Sequence, residues 1–186
     1  IFTTTYRCNL DCQYCPYKDN NTYGINLVDN EDKIYSSEYL SSEISFESID
    51  DSLKQIEEKS DREFNNITIH GPGEPLLKWK QIEYLFNRIE AGVKNISKDA
   101  TISLMTNSML LGNDKIYNAI SKFKDKITLV INHTGFNELQ FQECPKTKLY
   151  SKNKTKITNN IKSFPNKSFK IILSELYAQN LIIHEL

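Results

Sequence analysis

Three cysteines, Cys8, Cys12 and Cys15, stand at Cys-x3-Cys-x2-Cys spacing within one short stretch. Thiolates are soft donors that select zinc, Cu(I) or iron–sulfur clusters, and a cubane of four irons takes four ligands. Three thiolates from one tight loop can hold three irons and leave the fourth with an open position, which is what coordination of a substrate requires. No fourth cysteine lies near, since Cys144 is remote in the sequence. The same three residues also suit a structural zinc site of three cysteines and one histidine, completed by His70 or His133. A disulfide framework fits poorly, because nothing in the chain looks like a small secreted scaffold.

A second constellation is Gly71-Pro72-Gly73-Glu74-Pro75, which directly follows the β-prone run Asn66 to His70. Two glycines and two prolines in five residues give a backbone that can approach a ligand closely, with carbonyl groups able to accept bonds from an ammonium. The plain alternative is a tight turn that caps a helix beginning near Lys78.

Cys8, Cys12 and Cys15, with Tyr14 just before the last cysteine, resemble the signature of the radical S-adenosylmethionine (SAM) enzymes. The resemblance implies a [4Fe-4S] cluster on these three cysteines, with its open iron chelating the amino and carboxylate groups of SAM. It further implies reductive cleavage of SAM to a 5′-deoxyadenosyl radical that abstracts hydrogen from a substrate, with electrons from a small donor such as flavodoxin or ferredoxin. Such chemistry belongs to the cofactor, and the protein positions it.

By the same resemblance, Gly71, Gly73, Glu74 and Pro75 are similar to the family's Gly-Gly-Glu-Pro stretch, which holds the SAM amino group, with Pro72 in place of a small residue. Thr106 and Asn107 fall where family members turn polar side chains to the ribose or carboxylate of SAM, and Asn132 is similar in kind; loop asparagines are also common turn formers. Gly135 and Glu138 resemble the end of the family's adenine-side motif, although Ile131 and His133 stand where Gly and Ile belong. Tyr14 would lie against the adenine. Cys144 is either buried apolar filler or, as in some relatives, a thiol that returns a hydrogen atom to the substrate radical.

The elements that must position these residues follow from periodicity. Ile1 to Tyr6 is a strand that leads straight into the cysteines. Phe46, Ile49, Leu53 and Ile56 recur at helical spacing behind Ser45, a good N-cap, and predict a helix over 46–59. The pattern continues with strand 66–70, helix 78–95, strand 100–105, a helix marked by Ile116, Ile120 and Phe123, strand 127–131, helix 153–163 closed by Pro165, and strand 169–173. Strands alternating with helices imply an α/β fold with a parallel sheet whose strands end on one functional edge. Pattern alone allows a barrel or an open doubly wound sheet, whereas the resemblance implies a parallel-stranded partial (β/α)6-type barrel. Five strands are clear; Leu181-Ile182-Ile183 is a candidate sixth behind a connection too short for an ordinary crossover, which leaves truncation open. The resemblance is strongest over residues 1–140. Residues 16–44 are polar and aperiodic, a lid beside the cluster or a variable surface loop.

Composition sets the outer bounds. The chain has 186 residues, room for a single domain over 1–186, with 39% hydrophobic and 25% charged residues and a formal net charge of −1. That balance speaks against a nucleic-acid partner recruited by global charge. No apolar run is long enough to span a bilayer and no leader is visible, so no membrane association and a reducing cytoplasm are expected. From Cys144 to Ser174 there are lysines and no acidic residue, which reads as a solvated face or as docking for an anionic partner. The expected substrate is a peptide or protein, modified on side chain or backbone or activated as a glycyl radical. A small metabolite or nucleotide is the alternative, and a non-catalytic zinc- or cluster-binding module is the rival from outside enzymology.

Overall fold

A computed structural model of the chain describes residues 1–13, 15, 43–132, 142 and 144–169. Its strands are β1 (Phe2–Thr3), β2 (Phe64–His70), β3 (Ile96–Thr106), β4 (Ile127–Ile131) and β5 (Asn166–Phe169). They pair in parallel in the order β1-β2-β3-β4-β5. Helices α1 (Phe46–Lys59), α2 (Trp79–Ala91), α3 (Asp114–Ser121) and α4 (Lys154–Lys162) fill the connections.

This order settles which architecture the alternation produces. A doubly wound sheet reverses its strand order at a switch point and carries helices on both faces. Here every strand lies beside its successor, and right-handed crossovers repeated without reversal put all the helices on one side. The strand order is that of a sheet curling as part of a barrel, not closed among the described residues, which is the α/β partial barrel expected.

Side chains alternate along each strand, so each strand has a helix side and an open side. Ile67, Ile69, Ile102, Leu104, Ile127, Leu129 and Ile131 are buried in one apolar core with Ile49, Leu53, Ile82, Leu85, Phe86, Ile116 and Ile120 of the helices. On the other face, the paired residues Thr68, Ser103 and Thr128 form a half-buried or more exposed polar row. Helix starts are fixed locally. Ser45 accepts from the Ser48 N–H at 3.0 Å while Ser48 Oγ accepts from the Ser45 N–H at 2.8 Å, a reciprocal cap of α1. Asn113 Oδ1 caps α3 by accepting from the N–H groups of Lys115 and Ile116.

Several boundaries differ from expectation. Regular pairing of β1 stops at Thr3; the Thr4 N–H still donates to His70, the last residue of β2, and the Thr5 carbonyl accepts from Gly73 in the loop beyond, while β2 and β3 begin earlier than expected, at Phe64 and Ile96. Helix α2 begins at Trp79 behind a 3₁₀ turn, Pro75–Lys78, and ends where Gly92 takes φ 99°. β5 starts at Asn166, ahead of the apolar run, since pairing with β4 and not hydrophobicity sets an edge strand's register. Residues 170–186, with the candidate sixth strand, and the loop 16–42 lie outside the described residues. Among the described residues no helix is long and apolar enough to cross a membrane.

Candidate functional site

The loops that leave β1 and β2 are built as one piece. The Thr4 N–H donates to the His70 carbonyl at 2.9 Å, the Gly73 N–H to the Thr5 carbonyl at 2.9 Å and the Glu74 N–H to the Arg7 carbonyl at 2.7 Å. Both glycines are required by this contact. A Cβ at Gly71 would lie 2.6 Å from the Thr5 oxygen, and one at Gly73 would overlap the Arg7 carbonyl outright. The Gly71–Pro75 turn is thus seated on Thr5 and Arg7, just ahead of Cys8.

Glu74 joins this pair of loops to β3. It is buried, and its carboxylate accepts from Thr106 Oγ1 at 2.6 Å, the Asn107 N–H at 2.7 Å and the Leu76 N–H at 3.0 Å. Burial pushes its pKa up and outweighs these three bonds, which pull it down. The side chain of Asn107 reaches the other way. Its Nδ2 donates to Asn9 Oδ1 at 2.9 Å and lies 3.8 Å from Cys8 Sγ, while its Oδ1 accepts from the Met109 N–H at 3.1 Å. Thr106 and Asn107 therefore direct the hydrogen bonds described here at the protein's own loops.

Cys8, Cys12 and Cys15 are all half-buried, and the Cys15 N–H donates to the Cys12 carbonyl at 3.2 Å, closing a turn. Burial, followed by the nearby Glu74 carboxylate, pushes the Cys8 thiol up to about 12; the Leu10 N–H, 3.5 Å from its sulfur, and Asn107 oppose the shift. Cys12 has a different neighbour. Its sulfur is bonded to that of Cys144, which is fully buried beside Leu10, Met109 and Ile157. The fold thus brings together two cysteines 132 positions apart. The Lys146 N–H donates to Asp11 Oδ1 at 2.9 Å and Asn9 Nδ2 donates to Tyr150 Oη at 2.9 Å, so the segment after Cys144 clasps the cysteine loop.

With Cys12 held in this bond, no three His, Cys, Asp or Glu side chains are gathered for a metal ion among the described residues. Reduction returns the third thiol to the loop. The donor set then suits an iron–sulfur cluster: three soft sulfurs, one of them already faced by two N–H donors of the kind that stabilise cluster thiolates. Among the described residues Asn132 Oδ1, just after β4, is buried without a hydrogen bond, an acceptor available to a ligand's donor. Tyr14, His133, Gly135 and Glu138 lie outside the described residues.

Sequence reasoning located the cysteines and the glycine turn but missed Asn9, Asp11 and Tyr150. Asn9 and Asp11 sit between the cysteines, where a polar residue next to a metal loop is the only available cue; Tyr150 carries no local signal at all.

The family model described as Radical SAM superfamily matches residues 2–167. No curated protein and no solved structure matches the chain. The match takes in β1 to β4 and the start of β5 together with the cysteine loop and the turn seated on it, and the chain belongs to the radical SAM superfamily.

Proposed function

We propose that the protein is a radical SAM enzyme in which Cys8, Cys12 and Cys15 hold a [4Fe-4S] cluster and SAM binds between that loop and Gly71–Pro75. The observation that carries the reading is the seating of the glycine turn on the Thr5 and Arg7 carbonyls just ahead of Cys8, which joins the two motifs. When bound, the reduced cluster supplies the electron that splits SAM to methionine and a 5′-deoxyadenosyl radical. The protein's share is placement. Gly71 and Gly73 keep the turn close enough for its backbone to meet the SAM amino group, Glu74 and Thr106 lock the turn to β3, and Asn132 offers an acceptor to a hydroxyl. Tyr14, Gly135 and Glu138 complete the adenine side.

The substrate is a peptide or protein segment, hydrogen being taken from a side chain, the backbone or a glycine. The polar row Thr68, Ser103, Thr128 supports this reading, since small hydroxyls can pair with an extended chain's amides. Cys144, as a free thiol, is the hydrogen donor to the product radical, and a flavodoxin or ferredoxin supplies the electron.

Anaerobic reconstitution with iron and sulfide, then dithionite and SAM, tests the chemistry. The expected products are 5′-deoxyadenosine and methionine from a brown protein. A colourless protein with one zinc per chain and no cleavage of SAM would overturn it.

A further inference from the structure

The cysteine loop sits on a polar chain that the radical chemistry above does not use. Glu74 accepts from the Asn107 N–H, Asn107 Nδ2 donates to Asn9 Oδ1, and Asn9 Nδ2 donates to Tyr150 Oη. Asn107 is its centre and is itself buried. Backbone and side chain together fix its amide: the N–H is held by Glu74 at 2.7 Å and Oδ1 by the Met109 N–H at 3.1 Å, which leaves Nδ2 aimed at the first cysteine. One of its two hydrogens serves Asn9, and the other is free to meet Cys8 Sγ at 3.8 Å, alongside the Leu10 N–H at 3.5 Å.

We infer that Asn107 is a positioning residue that acts through Cys8, its Nδ2–H bond to the sulfur making the cluster easier to reduce. The inference rests on the cluster assignment proposed above. The sign follows from electrostatics. Reduction adds negative charge that spreads onto the thiolates, a donor at the sulfur stabilises that charge, and removing the donor lowers the potential. Glu74, a buried carboxylate close to the same sulfur, acts in the opposite sense. The amide therefore stands between a carboxylate and a thiolate and donates to both, through different N–H groups.

The test is a redox titration of the reconstituted protein, followed by the electron paramagnetic resonance of the reduced cluster. Asn107→Ala is expected to cut the ratio of reduced to oxidised cluster about tenfold at a fixed poise, equivalent to about 59 mV for one electron. Asn9→Ala breaks the Asn107–Asn9 bond while sparing the sulfur contact, so it should lower thermal stability and leave the potential unchanged. Should Asn107→Ala not hold a cluster, Asn107→Leu, which keeps the shape and brings neither a donor nor a charge, takes its place and must show the same fall. An unchanged potential in the Asn107 variants, or an equal fall in Asn9→Ala, would overturn the inference. A wild-type protein that takes up no cluster would instead sink the cluster assignment.

Discussion

The two sides of the cysteine loop differ in what meets the sulfur. On the polar side Cys8 has N–H donors at its sulfur and the Glu74–Thr106–Asn107 network beneath. Cys8 and Cys12 both pack against the apolar cluster of Leu10, Met109, Cys144 and Ile157, but on the apolar side the Cys12 sulfur is bonded to that of Cys144. A sulfur that must carry negative charge is served by N–H donors. One placed beside a second thiol is taken into a disulfide when an oxidant removes two electrons and two protons from the pair. Cys12 cannot ligate iron while it is bonded to Cys144.

The largest effect is expected from removing the apolar side's partner. In Cys144→Ser the bond cannot form, so Cys12 should become alkylatable in the cluster-free, oxidised chain and iron uptake without added reductant should rise. The oxidised variant should also lose stability. Closing a loop across 132 positions restricts the unfolded chain by about 5 kcal/mol on the loop-entropy estimate. Peptide mapping after alkylation and urea unfolding with and without reductant give both numbers. If Cys12 in the oxidised wild type alkylates as readily as Cys15, the contrast between the two sides is void.

Breaking the polar side should cost somewhat less. Gly73→Ala puts a methyl group into the Arg7 carbonyl, so the turn must lift and the bonds from Gly73 to Thr5 and from Glu74 to Arg7 are strained together. Overpacking of this kind costs about 1–3 kcal/mol, and a disturbed buried bond adds about 1 kcal/mol. Urea unfolding under reducing conditions should show a loss of about 3 kcal/mol, together with reduced cluster loading. A loss below about 0.5 kcal/mol would mean that the turn moves freely and that the two motifs are not one unit.

How legible this was differs along the same line. The helices and the core strands follow periods of 3.6 and 2, which local sequence states directly: Ile49, Leu53, Ile82 and Phe86 on the helices, Ile67 and Ile69 on β2. The glycine turn was legible as a close approach of backbone, although what it approaches, the Arg7 and Thr5 carbonyls, was not. Glu74 reads in sequence as a ligand for SAM; its burial against Thr106 and Asn107 needs β2 and β3 side by side, and strand order is not written in any local pattern. Cys144 was legible only as a free thiol with two possible fates, because its meeting with Cys12 joins positions 132 apart and depends on the tertiary fold. The start of β5 was missed in the reading for a related reason: Asn166-Lys167-Ser168 looks like loop until β4 supplies the bonds.

The smallest effect concerns what anchors the polar side at its outer end. Glu43 accepts from Thr5 Oγ1 at 2.7 Å and pairs with Lys78 at 2.6 Å and Arg7 at 3.7 Å, tying the start of the cysteine loop to the 3₁₀ turn. Burial raises its pKa, but the bonds from Lys78 and Thr5 and the charges of Lys78 and Arg7 outweigh that and hold it below the ordinary 4.5. A carboxyl lowered in the folded state adds stability above its unfolded value, and that stability is lost as the pH falls through the folded value. Glu74, raised by burial, has the reverse sign: its contribution favours the fold at low pH and is lost as the pH rises through its folded value. Glu43→Gln should therefore be less stable than wild type near neutrality, with a gap that closes as the pH is taken from about 7 to about 3, while Glu74 remains common to both proteins. Urea unfolding across that range reads the gap directly. A gap that stays constant with pH would show that Glu43 holds the loop as a neutral hydrogen-bond acceptor would, and the polar side would then owe its order to Glu74 and Asn107 alone.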